Sequence, residues 1–237
     1  MQTFHEKTQL INEFLQECYP DGIMAYKLKR NEKRWKIGFF QQFKTPKIKE
    51  MFHLSRIYEI IFEPIKYTCI YFDDPQNTEK LQEIPCAHWV AITSPGRVQV
   101  HIPIPPILRK TYQDSITERK ILQRCCHDFF QTENVAAWNH CRKLPLMQNP
   151  KYNPPTIIHI EKRNPENTHF DYFLRFLELL NETYQRIKPL YQENTPSPRN
   201  IQNRTRKQKC WTDFYTGDES VADIRYAVYL FSRGYSW

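Results

Sequence analysis

The chain has 237 residues, of which 40% are hydrophobic and 14% aromatic, enough for a sizeable core and too many for a disordered protein. Its net charge of +8 suits a polyanionic partner such as nucleic acid. Only five glycines are present, and their scatter excludes the glycine-rich phosphate loops of P-loop and dinucleotide sites. Without a long apolar run or an N-terminal leader pattern, we expect a cytoplasmic protein with no membrane contact.

The hydrophobic periodicity predicts helices and strands in alternation. Helical spacing is found in the segments 1–18, 48–60, 115–130 and 170–191. Strand patterns are found in the segments 22–30, 34–43, 65–75, 88–96, 97–105 and 156–161. The apolar run at 65–75 predicts a central strand, and the Ser-Pro-Gly turn after 88–93 predicts a hairpin.

The polar, proline-containing and basic composition beyond Leu190 predicts a linker. We therefore expect a large domain over 1–190, a basic linker over 191–210 and the start of a helical domain over 211–237.

The cysteine pattern argues against both a disulfide framework and zinc. Seven cysteines occur at irregular spacing without a C-x-x-C pair, which is typical of reduced thiols. Cys125, Cys126 and His127 precede His140 and Cys141 by about a helix length. Adjacent Cys-Cys-His is not a ligand spacing of the common structural zinc sites, so we expect buried thiols there.

The segment CIYFDDPQ, residues 69–76, ends an apolar strand with two adjacent carboxylates. Like charges repel, and carboxylates beside buried residues lose hydration, so such a pair persists most easily where a cation or strong donors compensate it. Asp-Asp-Pro is also ordinary turn chemistry. From this segment alone a solvated turn is favoured, because such turns are common.

Three segments in chain order resemble the motifs of RepB-type plasmid primases, in the archaeo-eukaryotic primase superfamily. They are CIYFDDP, AITSPGRVQVHIPI and RKLPLMQNPKY, and the tail GDESVADIRYAVYLFSRGYS is similar to a helix of that family's C-terminal domain. The resemblance covers about 65–152 plus the tail. It implies an α/β (α+β) catalytic domain with a mixed or antiparallel sheet flanked by helices, plus a small C-terminal helical region.

The resemblance also implies metal-dependent nucleotidyl transfer with Mg²⁺ or Mn²⁺ and nucleoside triphosphates. Asp73 and Asp74 would be catalytic and would hold the metal, because these ions prefer carboxylate oxygens. Neighbouring strand residues point to opposite faces, so both reach one ion only if the strand ends there, as Pro75 indicates.

The nucleotide-binding residues that the resemblance implies are Ser94, Gly96, Arg97, Gln99, His101, Lys143, Asn149 and Lys151. Ser94 and Gly96 would form a turn with amides facing the triphosphate, and Arg97 would neutralise a phosphate. Either Gln99 or His101, which share a strand face, would contact triphosphate or sugar. The residues of the third motif would hold phosphate or template.

The third motif departs from the family pattern. The place of its acid holds Ala137, that of the following arginine holds His140, and that of the glycine holds Leu146. Three explanations are open: Glu133 or Asp128 supplies the acid from a shifted position, the alanine is an engineered inactivation, or the chain keeps the fold without the chemistry.

We therefore predict a DNA primase or primase-polymerase of a plasmid or other mobile element. Its partners would be a single-stranded DNA template, with RNA as a second option, and a replicative helicase. Three alternatives stay open: a non-catalytic nucleic-acid-binding protein on the same fold, a zinc-stabilised DNA-binding module, and a metal-dependent nuclease. The nuclease remains because paired acids and a metal serve phosphodiester hydrolysis equally well.

Overall fold

Two four-stranded sheets form the framework of the computed structural model, which describes residues 2–29, 34–76, 78–132 and 141–193. The helices are α1 (Phe4–Cys18), α2 (Thr45–Leu54), α3 (Pro106–Asp114), α4 (Ile116–Phe130), α5 (Phe170–Leu179) and α6 (Asn181–Glu193). The strands are β1 (Ile23–Leu28), β2 (Trp35–Phe40), β3 (Glu59–Pro64), β4 (Cys69–Asp73), β5 (His88–Ser94), β6 (Arg97–Pro103), β7 (Arg142–Lys143), β8 (Gln148–Asn149), β9 (Thr156–Ile157) and β10 (His159–Arg163).

The strands pair antiparallel throughout the described ranges. The N-terminal sheet has the order β2-β1-β3-β7, and the central sheet has the order β10-β5-β6-β4. A small ladder of β8 and β9 joins them in sequence. The predicted fold class, an α/β (α+β) domain with an antiparallel sheet flanked by helices, is confirmed.

Two apolar clusters pack the helices onto these sheets. The first joins α1 and α2 to the N-terminal sheet, with Ile11, Phe14 and Met51 fully buried. The second joins α4, α5 and α6 to β4 and β6, where Phe72 stacks on Phe130 at 4.5 Å between ring centroids. Capping fixes where the helices begin, since the Ser115 hydroxyl accepts from the Glu118 amide at 3.2 Å.

The prediction that the 65–75 strand is central was wrong, because β4 lies at the edge of its sheet with β6 as its one described neighbour. Its residues are nevertheless buried on both faces. Ile70 and Phe72 pack against the second apolar cluster, and Cys69 packs against the first. Helices cover this edge strand, so its sequence has the uninterrupted apolar run of a central one.

The described residues fall within one unit, Met1–Asn194. Helix α6 continues to Glu193, three residues into the segment predicted as a linker. The rest of that linker and the predicted helical region 211–237 lie outside the described residues. No helix in the described ranges is long and apolar enough to cross a bilayer.

Phe14 is the most connected aromatic residue of the first cluster. Its ring makes edge contacts with Tyr19, Phe62 and Trp89 at centroid distances of 5.5, 6.3 and 5.7 Å. We expect Phe14→Ala to lower the free energy of unfolding by about 3–5 kcal/mol, through lost burial and an unfilled cavity. Ile107→Ala, at a position 74% exposed on α3, should change it by less than about 0.5 kcal/mol. Urea titration would measure both, and equal midpoints would contradict this packing.

Candidate active site

An open cleft of about 440 Å³ is lined by residues of both four-stranded sheets. It brings together most of the site residues predicted from the sequence: Asp73, Asp74, Ser94, Arg97, Gln99, Lys143 and Lys151. Segments far apart in the chain meet here because β4, β5 and β6 are neighbours and β7 joins the edge of the N-terminal sheet. Gly96, His101 and Asn149 do not line the cleft.

Asp73 ends β4, opposite Gln99 of β6. The Tyr71 hydroxyl donates to Asp73 Oδ2 at 3.3 Å and accepts from Gln99 Nε2 at 3.0 Å. Gln99 Oε1 in turn accepts from the Lys143 amide at 3.2 Å. Burial, followed by the nearby Asp73 charge, raises the pKa of Tyr71 well above its ordinary value, so the hydroxyl remains a donor. This chain of hydrogen bonds positions the Asp73 carboxylate.

Asp74 turns back into the same cleft because its backbone adopts a φ of +48°, the left-handed conformation that Asp tolerates better than most residues. Its amide donates to Val98 O at 2.8 Å, and its carboxylate accepts from Val98 N at 3.1 Å. The second carboxylate oxygen accepts from Arg97 Nη1 at 2.7 Å. Two adjacent acids therefore face one cleft, as the predicted role requires, and Arg97 compensates the second of them.

Ser94 and Gly96 belong to the β5–β6 hairpin, in which Ser94 pairs with Arg97, as predicted. Gly96 has a φ of +72°, which favours glycine, and a Cβ there would meet no atom within 4 Å. The glycine therefore serves the turn, and no protein atom packs where its side chain would be. Ser94 lines the cleft, and its side chain is almost completely buried.

Lys143 and Lys151 share an acidic partner that sequence analysis missed. Glu59 Oε1 lies 3.4 Å from Lys143 Nζ and 3.2 Å from Lys151 Nζ. Glu59 begins β3 and is only 15% exposed. The alternation of Glu59, Ile61 and Glu63 indicates one strand face, but the sequence does not show that this face meets Lys143 across the β3–β7 pair.

His101 is fully buried behind the cleft instead of lining it. Its Nδ1 lies 2.7 Å from the Tyr19 hydroxyl, and its ring packs between Phe14 and Tyr71. Burial, reinforced by the Arg142 charge, lowers its pKa well below the ordinary value. Of the two candidates for triphosphate or sugar contact, only Gln99 reaches the cleft.

Asn149 is also buried, and it supports residues that do line the cleft. Its Nδ2 donates to Thr93 O at 2.9 Å, and its Oδ1 accepts from the Lys151 amide at 3.3 Å. Asn149 is therefore not open to a phosphate in this structure, and it acts on the cleft only through the position of Lys151.

The acidic pair suits a divalent ion in ligand type, since both carboxylates are oxygen donors in one cleft. Within the described ranges no third His, Cys, Asp or Glu joins them. Asp128 does not line the cleft and instead pairs with Arg124 at 2.8 Å and Arg186 at 3.3 Å. This disagrees with the proposal that it replaces the missing acid, whereas Glu133 and Ala137 lie outside the described residues.

Two of the three thiols weighed for zinc, Cys125 and Cys126, lie in α4 within the second apolar cluster. Cys141 lies instead at the cleft, where its thiol donates to Glu63 Oε1 at 3.1 Å. Burial raises the pKa of Cys125 to about 12 and raises that of Cys126 as well, which disfavours the thiolate that binds zinc. His140 lies outside the described residues.

Two solved structures share this arrangement of strands and helices. The crystal structure of primase RepB′ matches with a TM-score of 0.56 and 15% identity, over 97% of this chain and 82% of that one. The catalytic domain of primase RepB′ in complex with initiator DNA matches with a TM-score of 0.54 and 13% identity, over 79% of this chain and 98% of that one. The chain has the RepB′ primase fold. No protein-family model and no curated protein sequence matches it.

The buried, neutral histidine beneath the cleft, His101, gives a pH prediction. The pKa of His101 is depressed in the folded state, whereas an unfolded histidine titrates near pH 6.5. The contribution of His101 to stability is therefore present above about pH 6.5 and is lost as the pH falls below it, at up to about 1.4 kcal/mol per pH unit.

Urea midpoints of the wild type should accordingly fall between pH 7.5 and 5.5, and His101→Gln should reduce this pH dependence. His159→Gln, which changes an exposed histidine, should leave the pH dependence as it is in the wild type. His88, buried and with a pKa lowered by burial, should account for a remaining part of the loss. Identical pH dependence in His101→Gln and the wild type would contradict the neutral state of His101.

Proposed function

We propose that the protein is a metal-dependent nucleotidyltransferase of the primase type, which makes or extends primers on single-stranded DNA of a plasmid or other mobile element. The observation that carries this proposal is the pairing of Asp73 and Asp74 in a cleft that also holds Lys143 and Lys151. Phosphoryl transfer needs carboxylates that hold a metal ion and cationic side chains that hold the phosphates, and this cleft contains both. The DNA complex of the RepB′ catalytic domain supports a DNA substrate.

Asp73 and Asp74 would hold Mg²⁺ or Mn²⁺, which supplies Lewis-acid stabilisation of the phosphoryl oxygens. The Tyr71 hydroxyl orients Asp73, and Gln99 fixes that hydroxyl from the neighbouring strand. Lys143 and Lys151 would attract the triphosphate, and the β5–β6 turn at Ser94 would offer backbone amides to it. Arg97 either stays with Asp74 or transfers to a phosphate when a metal binds.

A non-catalytic binding protein is the second candidate, and two observations favour it. No third ligand joins the acids among the described residues, and Asp74 already has a cationic partner in Arg97. A protein of this kind would bind DNA through its basic surface and would have no product to lose when Asp73 is changed.

Primer synthesis on single-stranded DNA with Mg²⁺ or Mn²⁺ separates the two candidates. We expect the wild type to form product and Asp73→Asn to lose it by at least about 100-fold, because one metal-ligand charge is removed. Asp114→Asn removes an exposed carboxylate at the end of α3 and should be fully active. Ala137→Asp should raise the rate if the third acid of the motif is missing at that place.

The other outcomes of this assay are equally decisive. Product from Ala137→Asp alone would identify a disabled enzyme. If no variant forms product and all of them still bind DNA, the protein is the non-catalytic binding protein. Cleavage of labelled DNA without nucleotides, lost in Asp73→Asn, would identify a nuclease and overturn the proposed polymerising activity.

Tyr71→Phe tests how Asp73 is positioned. We expect kcat to fall by about 10- to 100-fold with an unchanged KM for nucleotide, because one hydrogen bond to a charged group is lost. Tyr67→Phe is a matched control, since the buried Tyr67 hydroxyl also accepts from a glutamine, Gln123 Nε2, at 3.1 Å but does not line the cleft. It should reduce stability without reducing kcat. Equal kcat values for the two variants would exclude a positioning role for Tyr71.

A further inference from the structure

The N-terminal sheet has an outer face that turns away from α1 and α2. Along β1, Ile23 and Ala25 are fully buried in the first apolar cluster, so the alternate residues point outward. Strand pairing extends this face sideways, because Phe39 lies opposite Met24 and Lys36 lies opposite Tyr26. The residues that define the outer face in this argument are Met24, Tyr26, Leu28, Lys36 and Phe39.

Two flat groups are presented on the outer face. Phe39 is 49% exposed, although its ring lies against Gly22, where an added Cβ would come within 2.6 Å of Phe39 Cε2. The Arg34 guanidinium lies over the Tyr26 ring at 4.6 Å, and Glu63 holds it there through an ion pair. One aromatic ring, from β2, and one guanidinium plane, from the residue that precedes β2, are thus partly exposed on this face.

The charge around these groups is basic. On the outer face itself Arg34 and Lys36 are basic, and the acid beside them, Glu63, is paired with Arg34. The lysines of the adjoining cleft, Lys143 and Lys151, lie there together with acidic side chains. Lys36 is exposed beside the Arg34–Tyr26 pair. The outer face therefore complements a polyanion.

The outer face is continuous with the cleft. Leu28, Ile61 and Lys143 belong to the outward-facing residues of β1, β3 and β7, and the same side chains line the cleft. A flexible strand lying across Phe39 and Tyr26 would therefore enter the cleft beside Asp73 without leaving the sheet.

We propose that the outer face binds single-stranded DNA and guides the template strand into the cleft, a direction that rests on the proposed function. One base stacks on Phe39, a second stacks on the guanidinium of Arg34, and Lys36 contacts a phosphate. Stacking of this kind needs unpaired bases, whose faces are accessible only in a single strand. A protein partner would not need the alternation of stacking planes and basic groups.

The test is a binding measurement that does not depend on catalysis. Fluorescence anisotropy with labelled oligo(dT) of about 20 nucleotides, longer than single-strand sites of about 4–16 nucleotides, would report the Kd. We expect Phe39→Ala to raise the Kd by about 5- to 100-fold, as loss of one stacked base predicts, and Phe39→Tyr to bind like the wild type. Lys36→Ala should weaken binding and reduce its salt dependence.

Trp35→Ala is the matched control. Trp35 is an aromatic residue of the same strand and is 57% exposed, but it pairs with Lys27 and so belongs to the opposite face of the sheet. It should bind oligo(dT) like the wild type. Melting temperatures of all variants would verify that each is folded under the conditions of the titration.

Three results would overturn the proposal: a Kd for Phe39→Ala equal to that of the wild type, an equal loss in Trp35→Ala, or tighter binding of duplex DNA or oligo(U) than of oligo(dT). The proposed enzymatic activity is tested by a different variant from the proposed DNA-binding face. Asp73→Asn should abolish primer synthesis and keep the Kd for oligo(dT), so loss of stacking and loss of chemistry are distinguishable.

Discussion

Two adjacent carboxylates in one cleft must be compensated, and much of the surrounding structure follows from this constraint. Asp73 is held from within the protein by Tyr71, whereas Asp74 is held from the hairpin by Arg97 and the Val98 amide. The two acids are thus fixed by different elements although they are neighbours in sequence. The left-handed backbone at Asp74 makes this division feasible, because a continued strand would direct the second acid to the other face.

Beneath the cleft lies a second compensated charge. Arg142 is fully buried, with its guanidinium 4.3 Å from the centre of the Tyr71 ring and 5.5 Å from that of Tyr19. Burial, reinforced by this nearby cation, lowers the pKa of His101, so His101 is neutral. The residue next along β7, Lys143, joins Gln99 through its amide. Residues of the third sequence motif therefore help to position Tyr71 and Asp73 of the first motif.

The sequence predicted much of the fold, including the paired acids at a strand end, the β5–β6 hairpin and the main helices. These features depend on local periodicity and turn chemistry, which a single sequence records. It did not predict the partnership of Glu59 with Lys143, the burial of His101 or the edge position of β4. Each of these depends on which strands become neighbours in the sheets. Such long-range pairing is not recorded in the hydrophobic periodicity of a single sequence. The resemblance offered either Gln99 or His101 as the contact to the nucleotide. Only the structure shows that Gln99 lines the cleft and that His101 is buried behind it.

The position of Glu59 has a consequence for selectivity. An anion can reach Lys143 and Lys151 only in competition with a carboxylate that already lies between them. A singly charged anion gains little by such an exchange, because it replaces one negative charge with another. A triphosphate brings several charges and can engage both lysines together. If the two lysines hold the triphosphate as we propose, the cleft would thereby rank anions by valence before any contact with base or sugar is made.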